Sequence, residues 1–247
     1  MKYLKEFKTE NDYLAYRDDK SNYLKPNVSL CEGNSTVYYN YPPKPKANGH
    51  DYVDLGLPNG TLWATMNVGA SKPSDYGLYF QWGDTHGYTK EQVGKDKQFN
   101  WANYKWNPSG DGETFTKYNE TDKKTVLDLE NDAANANMGG DWHMPTPTQI
   151  QELIDNTTSE WTTLDGVRGR LFTSKNDPSK SIFIPASGHA WNGSVINKWK
   201  AYYVWSSMLS SGDVRGGQWL YSDSLTTYLK EGSSNRLNGF TVRGVIG

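Results

Sequence analysis

Residues 238–247, NGFTVRGVIG, close the sequence, and residues 202–213, YYVWSSMLSSGD, lie shortly before them. The apolar and small residues of both stretches predict short strands, and the Trp-Ser-Ser run favours a hairpin. Tryptophans, tyrosines and small polar residues crowd together in this part of the chain. The C-terminal third therefore predicts short strands separated by Gly/Ser loops, and it carries no pattern typical of an enzyme.

The composition of the chain excludes several classes of partner. Its 247 residues suffice for one large domain, or for a domain of about 200 residues with an appendage. The net charge of −2 predicts no nucleic-acid partner and no attraction to anionic lipid. No window approaches the roughly 18 apolar residues of a membrane helix, which predicts no membrane insertion. Only 35% of the residues are hydrophobic, but 10 Trp and 17 Tyr supply large rings for a core.

Residues 1–46 are predicted to form a separate module. The segment EFKTENDYLAYRD at 6–18 is compatible with a short helix, and NVSLCEGNSTVYYN at 27–40 indicates a hairpin. Three prolines within residues 42–45 favour a stiff linker. Because a lone hairpin is only marginally stable, we expect this module to attach to another protein or to oligomerise, for example as a homotrimer.

Residues 47–247 are predicted to form a loop-rich α+β domain. Short apolar runs separated by Gly, Pro and Asn indicate many short strands. The main helix is expected from Thr146, which can cap it, through Pro147 in its first turn and an apolar stripe at Ile150, Leu153 and Ile154. A further helical turn is predicted within residues 128–137.

Six motifs occur in one order along the domain. They are HDYVDLGLPNGTLWATMNVGA at 50–70, YGLYFQWGDT at 76–85, GGDWHMPTPTQIQELI at 139–154, SIFIPASGH at 181–189, YVWSS at 203–207 and GFTVRGV at 239–245. This series resembles the major-paralogous-domain (FISUMP-type) family of gut-bacterial surface and phage proteins. That family is related to formylglycine-generating enzymes and C-type lectins.

The resemblance implies a C-type-lectin-like domain with two helices, a small twisted antiparallel sheet and long loops. The C-terminal strand would return beside the first strands of the domain. Trp205, Phe240, Val242 and Arg243 would then be scaffold residues, and Trp63, Trp82 and Trp142 are also expected in the core. Exposure for recognition is an open alternative for Trp101, Trp106, Trp191 and Trp219.

The region from 191 to 238 is rich in Tyr, Trp, Ser and Asn, which combine rigid amphipathic rings with adaptable hydrogen bonding. Some fold relatives are diversified in this region by retroelements, so diversification is a further hypothesis. The ending GVIG lacks the arginine associated with that group. The candidate ligand-binding residues are Trp191, Asn192, Tyr202, Tyr203, Ser207, Trp219, Tyr221, Ser222, Asp223 and Asn235.

The residues predict no catalytic group, no metal and no cofactor. Formylglycine-generating enzymes use a cysteine pair, whereas Cys31 is the single cysteine of this chain. The loop NPSGDG at 107–112 begins like a calcium loop, but Tyr118 stands where the bidentate acid is required. The four histidines form no His-x-His or His-x3-His pair. An enzyme of the formylglycine-generating type is therefore the least favoured alternative.

We expect a non-enzymatic receptor-binding protein of a bacteriophage tail or fibre. It would recognise a glycan or protein on the bacterial host surface and contact other virion proteins through residues 1–46. It would be made in the bacterial cytoplasm and reside in the virion. The start, MKYLKEFKTE, lacks an apolar leader, which favours this over a secreted protein. The alternative is a glycan-binding module at the bacterial cell surface.

Overall fold

The computed structural model describes residues 45–94, 98–230 and 235–247, the strand residues 29–32 and 36–39, and the isolated positions 9, 11, 12 and 15. The chain divides into two compact units, Met1–Pro45 and Lys46–Gly247. In the first unit, β1 (Ser29–Glu32) pairs antiparallel with β2 (Thr36–Tyr39), which confirms the predicted hairpin. Most of the helix predicted at 6–18 lies outside the described residues.

The second unit consists mainly of short strands. They are β3 (Lys46–Ala47), β4 (His50–Asp54), β5 (Leu62–Ala64), β6 (Tyr79–Phe80), β7 (Thr157–Leu164), β8 (Val167–Ser174), β9 (Ser181–Pro185), β10 (His189–Trp191), β11 (Ser194–Ile196), β12 (Ala201–Ser210), β13 (Asp213–Asp223), β14 (Thr227–Lys230), β15 (Phe240–Thr241) and β16 (Val245–Ile246). The helices are α1 (Lys90–Val93), α2 (Ala133–Met138) and α3 (Pro147–Asn156). This is a mixed α+β fold in which antiparallel pairing dominates.

The C-terminal stretch connects two sheets. β15 lies between β12 and β6 in the five-stranded sheet β14-β13-β12-β15-β6, and β16 pairs with β5 in the sheet β16-β5-β4-β3. Between them lies Gly244, where a Cβ atom would meet the sulfur of Met138 at 2.6 Å and the ring of Trp142 at 3.0 Å. Only glycine allows this close approach. The chain end therefore pairs with the first strands of the domain.

The long hairpin β12–β13 separates two cores. Successive residues of a strand point to opposite faces. Tyr202, Val204 and Leu220 contribute to one core, which also contains Ile150 and Leu153 of α3. The other core contains Trp205 and Phe240, whose stacked rings lie 4.0 Å apart, together with Trp82 and Trp142. The predicted core positions Trp63, Trp82, Trp142 and Trp205 are confirmed, since all four are fully buried.

The helices begin and end where local chemistry dictates. The Thr146 side chain accepts from the Gln149 backbone and the Gln149 side chain accepts from the Thr146 backbone, so the predicted cap of α3 is confirmed. Asp132 caps α2 within the segment predicted to be helical. α1 was not predicted, because four residues after Thr89 give no measurable periodicity.

Arg243 is the central polar residue of the interior. It is fully buried, and its guanidinium donates to the Asn67 side chain, the Ala64 carbonyl and the Phe183 carbonyl, each at 2.9 Å. Burial lowers the pKa of Arg243, but these three acceptors compensate for its lost hydration. One planar side chain therefore joins the C-terminal stretch to β5, to the loop after it and to β9. The predicted scaffold role of Arg243 is confirmed.

We expect Arg243→Lys to lower the free energy of unfolding by about 3 kcal/mol, because an ammonium cannot reproduce the planar fork and leaves buried acceptors unpaired. Chemical denaturation with far-UV circular dichroism measures this. Arg215→Lys is the matched control, because Arg215 is exposed and forms its ion pair with the neighbouring Asp213. Its effect should stay within about 0.5 kcal/mol. An equal effect of both substitutions would contradict the role of Arg243.

Candidate functional site

Three tyrosines lie side by side across three strands. Tyr203 of β12 is opposite Tyr221 of β13, which is opposite Tyr228 of β14. Each pair of neighbouring ring centroids is 5.2 Å apart. Tyr228 is 38% exposed, and the other two rings are half-buried. We call Tyr203, Tyr221 and Tyr228 the tyrosine row.

The strand period explains why the tyrosine row faces away from α3. Tyr202 and Ser222 are opposite each other in the same hairpin and point to the α3 side. Their sequence neighbours Tyr203 and Tyr221 must therefore point to the other side. Aromatic cross-strand pairs of this kind also stabilise a sheet. The site is thus part of a well-packed hairpin.

Polar partners fix the rings of the tyrosine row. The Asn197 side chain donates to the Tyr203 hydroxyl at 3.1 Å, and the Tyr221 hydroxyl donates to the Asp223 carboxylate at 2.9 Å. Asp223 also accepts from the backbone N–H groups of Leu225 and Thr226, each at 2.8 Å. Partial burial opposes ionisation of Asp223, but these hydrogen bonds outweigh it and lower the pKa of the carboxyl. Asp223 is therefore a carboxylate at neutral pH.

A concavity of about 350 Å³ adjoins the row on the side of the β7–β8 hairpin. We call it the hairpin concavity. Its aromatic lining residues are Trp161, Trp199 and Tyr221, and its polar ones include Arg168, Asn197 and Asp223. Its volume lies in the usual range of small-ligand pockets. The combination of ring faces with a few polar groups suits a ligand that is itself amphipathic.

Trp199 also lines a second concavity, of about 410 Å³, which we call the loop concavity. The loop 74–77, Lys90 and Lys198 form other parts of its lining. Trp199 is 49% exposed, and its φ of 73° lies in the left-handed region that a bulky residue rarely adopts. The backbone N–H of Trp199 donates to the Ala186 carbonyl at 2.8 Å, and this hydrogen bond holds the backbone in that conformation. The indole therefore stands between two concave surfaces.

The β7–β8 hairpin is anchored at its middle and at its tip. In the middle of β8, Arg170 donates to the Ser222 hydroxyl at 2.7 Å and to the Asp223 carbonyl at 2.6 Å. At its tip, Ser74 donates to the Asp165 carboxylate at 2.8 Å, and Lys72 lies 3.4 Å from that group. The walls of the two concavities are consequently held in place by hydrogen bonds.

The surface expectation is wrong for four of the ten predicted site residues, Tyr202, Ser207, Trp219 and Ser222, because all four are buried. Tyr202 packs in the core beneath α3, and Trp219 packs in the core around Trp205. The backbone of Ser207 joins neighbouring segments, since its N–H donates to Pro145 and its carbonyl accepts from Leu127. Ser222 holds Arg170. These residues support the site from below.

The remaining six residues reach the surface in different places. Tyr203, Tyr221 and Asp223 come together in and beside the tyrosine row. Trp191 and Asn192 lie at the turn between β10 and β11, where Trp191 is 49% exposed, and Asn235 is half-buried opposite Gly216. None of these last three lines the hairpin or the loop concavity.

Sequence reasoning missed Trp161, Arg168 and Trp199. Trp161 follows a run of Thr, Ser and Glu in β7, and Trp199 stands alone between two lysines. A tryptophan isolated among polar residues is the signal that would have singled out both. Their proximity to Tyr221, however, depends on how the β7–β8 hairpin packs, and no local pattern contains that information.

The described residues contain no group of three or more His, Cys, Asp or Glu side chains that could hold a metal ion, and no helix long and apolar enough to cross a membrane. In the loop 107–112, the Asn107 amide donates to the Asp111 carboxylate at 2.8 Å. Asp111 also accepts from the backbone of Glu113 and Thr114. The Asp111 carboxylate therefore stabilises the local turn through these hydrogen bonds.

His189 lies behind the tyrosine row. Its ring centroid is 4.6 Å from that of Tyr203 and 5.9 Å from that of Phe240. Within the described part of the chain, its Nδ1 atom is buried without a hydrogen-bond partner. Burial lowers the pKa of His189 to about 4, so the imidazole is neutral at physiological pH. It acts as a ring that supports Tyr203.

No family model matches the chain, and comparisons with curated proteins and with solved structures likewise found no match. The family resemblance stated from the sequence therefore stays a prediction.

We expect Tyr202→Ala to lower the free energy of unfolding by about 3–5 kcal/mol, because it empties a fully buried site. Tyr228→Ala is the matched tyrosine control and should cost at most about 1 kcal/mol, since its ring is partly exposed. Urea denaturation of both variants measures the difference. Similar losses in both would mean that the tyrosine row is as essential to folding as the core.

We expect His189 to make stability depend on pH. Its folded pKa, about 4, lies below the unfolded value of about 6.5, so the unfolded state binds more protons between these values. Stability contributed by the neutral ring is complete above about pH 6.5 and is lost as the pH falls toward 4, by on the order of 2 kcal/mol after allowance for its partial exposure. The unfolding free energy, measured by urea denaturation at a series of pH values, should depend differently on pH in wild type and His189→Gln only in this window. Parallel curves would refute this assignment.

Proposed function

We propose that residues 46–247 form a non-enzymatic recognition domain, with a C-type-lectin-like fold, that binds a glycan or protein on the surface of a bacterial cell. The observation that carries this proposal is the tyrosine row beside the hairpin concavity. Aromatic rings, hydroxyls, an amide, a guanidinium and a carboxylate meet there on one surface. That combination is typical of binding surfaces.

The rigidity of the row supports a role in binding. Tyr203 and Tyr221 are held by hydrogen bonds to Asn197 and Asp223, and their strands are packed between two cores. Rings that are already ordered lose little conformational entropy when a ligand binds. Tyr228, the most exposed ring of the row, remains available for contact.

The strand connectivity supports the finer fold assignment. The resemblance implies that the C-terminal strand returns beside the start of the domain, and β16 indeed pairs with β5. The three α-helices among the described residues of the second unit, of which α3 packs on the central sheet, are compatible with the two helices that the resemblance implies. The C-type-lectin-like fold, and diversification of its surface, stay predictions.

The carrier of the domain is proposed to be a bacteriophage tail or fibre, with residues 1–46 contacting other virion proteins or forming a trimer. The alternative is a glycan-binding module of the bacterial cell surface. Co-purification of the chain with phage particles or with bacterial envelopes distinguishes the two. An enzyme of the formylglycine-generating type is disfavoured, because the single cysteine, Cys31, belongs to the first unit and provides no cysteine pair.

We expect the purified full chain to bind intact cells of at least one strain in a panel of gut bacteria with and without capsule. Tyr228→Ala should weaken this binding by roughly tenfold, because the ring is exposed in the row. Trp191→Ala is the matched control, since Trp191 is an exposed aromatic residue away from both concavities. Flow cytometry with labelled protein measures the affinities. The proposal fails if wild type binds no strain, or if only Trp191→Ala impairs binding.

A further inference from the structure

The hairpin concavity and the loop concavity share one wall. Trp199 lines both, and the neighbouring residues Val167 and Arg168 line the loop concavity and the hairpin concavity respectively. On either side of Trp199, Lys198 lines the loop concavity and Lys200 lines the hairpin concavity. The two concavities are therefore adjacent, and Trp199 is their common boundary. We call the pair, taken together as one surface, the Trp199 groove.

Aromatic surfaces are spread along the groove. Trp161 and Tyr221 line the hairpin concavity, and Tyr76 lines the loop concavity on the far side of Trp199. The C–H groups of a sugar ring carry partial positive charge and pack against the negative face of an aromatic ring. Repeated aromatic surfaces separated by concavities suit a chain of rings, as in a linear oligosaccharide.

The charges in the hairpin concavity favour an acidic ligand. Among the described residues, neither Arg168 nor Lys200 forms an ion pair through its side chain, and both line this concavity. Among its described lining residues the one carboxylate, that of Asp223, already accepts from the Tyr221 hydroxyl and two backbone N–H groups. An arginine fork and a lysine ammonium without an ion-pair partner among the described residues match the geometry and charge of a carboxylate.

The loop concavity is closer to neutral. Lys90 lies 3.2 Å from the Glu91 carboxylate, and the Asp75 carboxylate accepts from the Ser71 N–H at 3.2 Å. Its polar groups can therefore hydrogen-bond the hydroxyl groups of a ligand, and its charge balance does not require a second carboxylate on that ligand. The two halves of the groove differ in charge, and an occupant with carboxylates on some of its rings fits that difference.

The geometry points to the Trp199 groove as the binding site for a linear glycan that contains uronic acid residues. One sugar ring packs on the Trp199 indole, and a carboxylate of the neighbouring ring binds Arg168 and Lys200. This inference rests on the proposed function, because it names the ligand class of the same recognition domain. The tyrosine row then borders the groove at Tyr221.

The test uses the full chain and purified oligosaccharides of galacturonate, alginate and hyaluronan as probes, with titration calorimetry as the measurement. The matched ligand control is the same oligosaccharide with its carboxylates reduced to alcohols. We expect at least one uronate probe to bind with a Kd below roughly 1 mM, and its reduced form to bind about tenfold more weakly or worse.

Variants assign the binding to the groove. The double variant Arg168→Gln with Lys200→Gln should weaken binding about tenfold or more and reduce its salt dependence. Lys180→Gln, an exposed lysine outside the groove, should bind like wild type. Trp199→Gly should also lose about tenfold while remaining folded, because glycine adopts the φ of 73° without strain. Thermal unfolding of each variant verifies that it is folded, and the single variant Lys200→Gln, at an exposed position, serves in place of the double variant if that one is not.

Each outcome decides for or against the inference. Equal binding of the reduced oligosaccharide, an unaffected double variant, or tighter binding of poly-glutamate than of every uronate probe would overturn it. If wild type binds bacterial cells but none of the three uronates, the inference fails and the proposed recognition function stands. If wild type binds neither, both fail.

Discussion

The buried guanidinium of Arg243 is the interaction on which the rest of the second unit depends. Its three hydrogen bonds reach Ala64 and Asn67 in one segment and Phe183 in another, and both segments are far from Arg243 in sequence. β15 and β16 on either side of it extend this connection, since they pair with β6 and β5. A charge without hydration must keep all its acceptors, so these segments cannot separate without a large cost.

That constraint reaches the surface through the β12–β13 hairpin. β15 pairs with β12, and Phe240 of β15 stacks on Trp205 of β12. Trp205 lies two residues, or one strand repeat, after Tyr203. With the two faces of the hairpin packed into two different cores, the tyrosine row has a single orientation. Arg170 then uses Ser222 and Asp223 at the end of β13 to hold the β7–β8 hairpin beside it. The shape of the concavities thus depends on the packing of the cores, because the cores fix the β12–β13 hairpin and that hairpin holds the β7–β8 hairpin.

Local sequence patterns predicted what local chemistry decides. The cap of α3 at Thr146 and Pro147, the helical turn near Asp132 and the hairpin of the first unit depend on residues close in sequence. The tryptophans within apolar motifs were also correctly assigned to the core. The four errors among the predicted site residues have one cause. Composition marks a segment as rich in Tyr, Trp and Ser, but it does not say which face of a strand is covered.

The sequence by itself determined an α+β chain with an aromatic core, a two-part organisation and a C-terminal region rich in residues suited to binding. Only the tertiary structure decided which of those residues are available. Tyr202 and Tyr203 are neighbours of the same type, yet α3 covers the first and leaves the second in the tyrosine row. Likewise, Trp161 and Arg168 meet Tyr221 only because the β7–β8 hairpin packs against the sheet, and Trp199 joins them from the loop before β12. The physical reason is that burial and proximity follow from long-range packing, which no local pattern records.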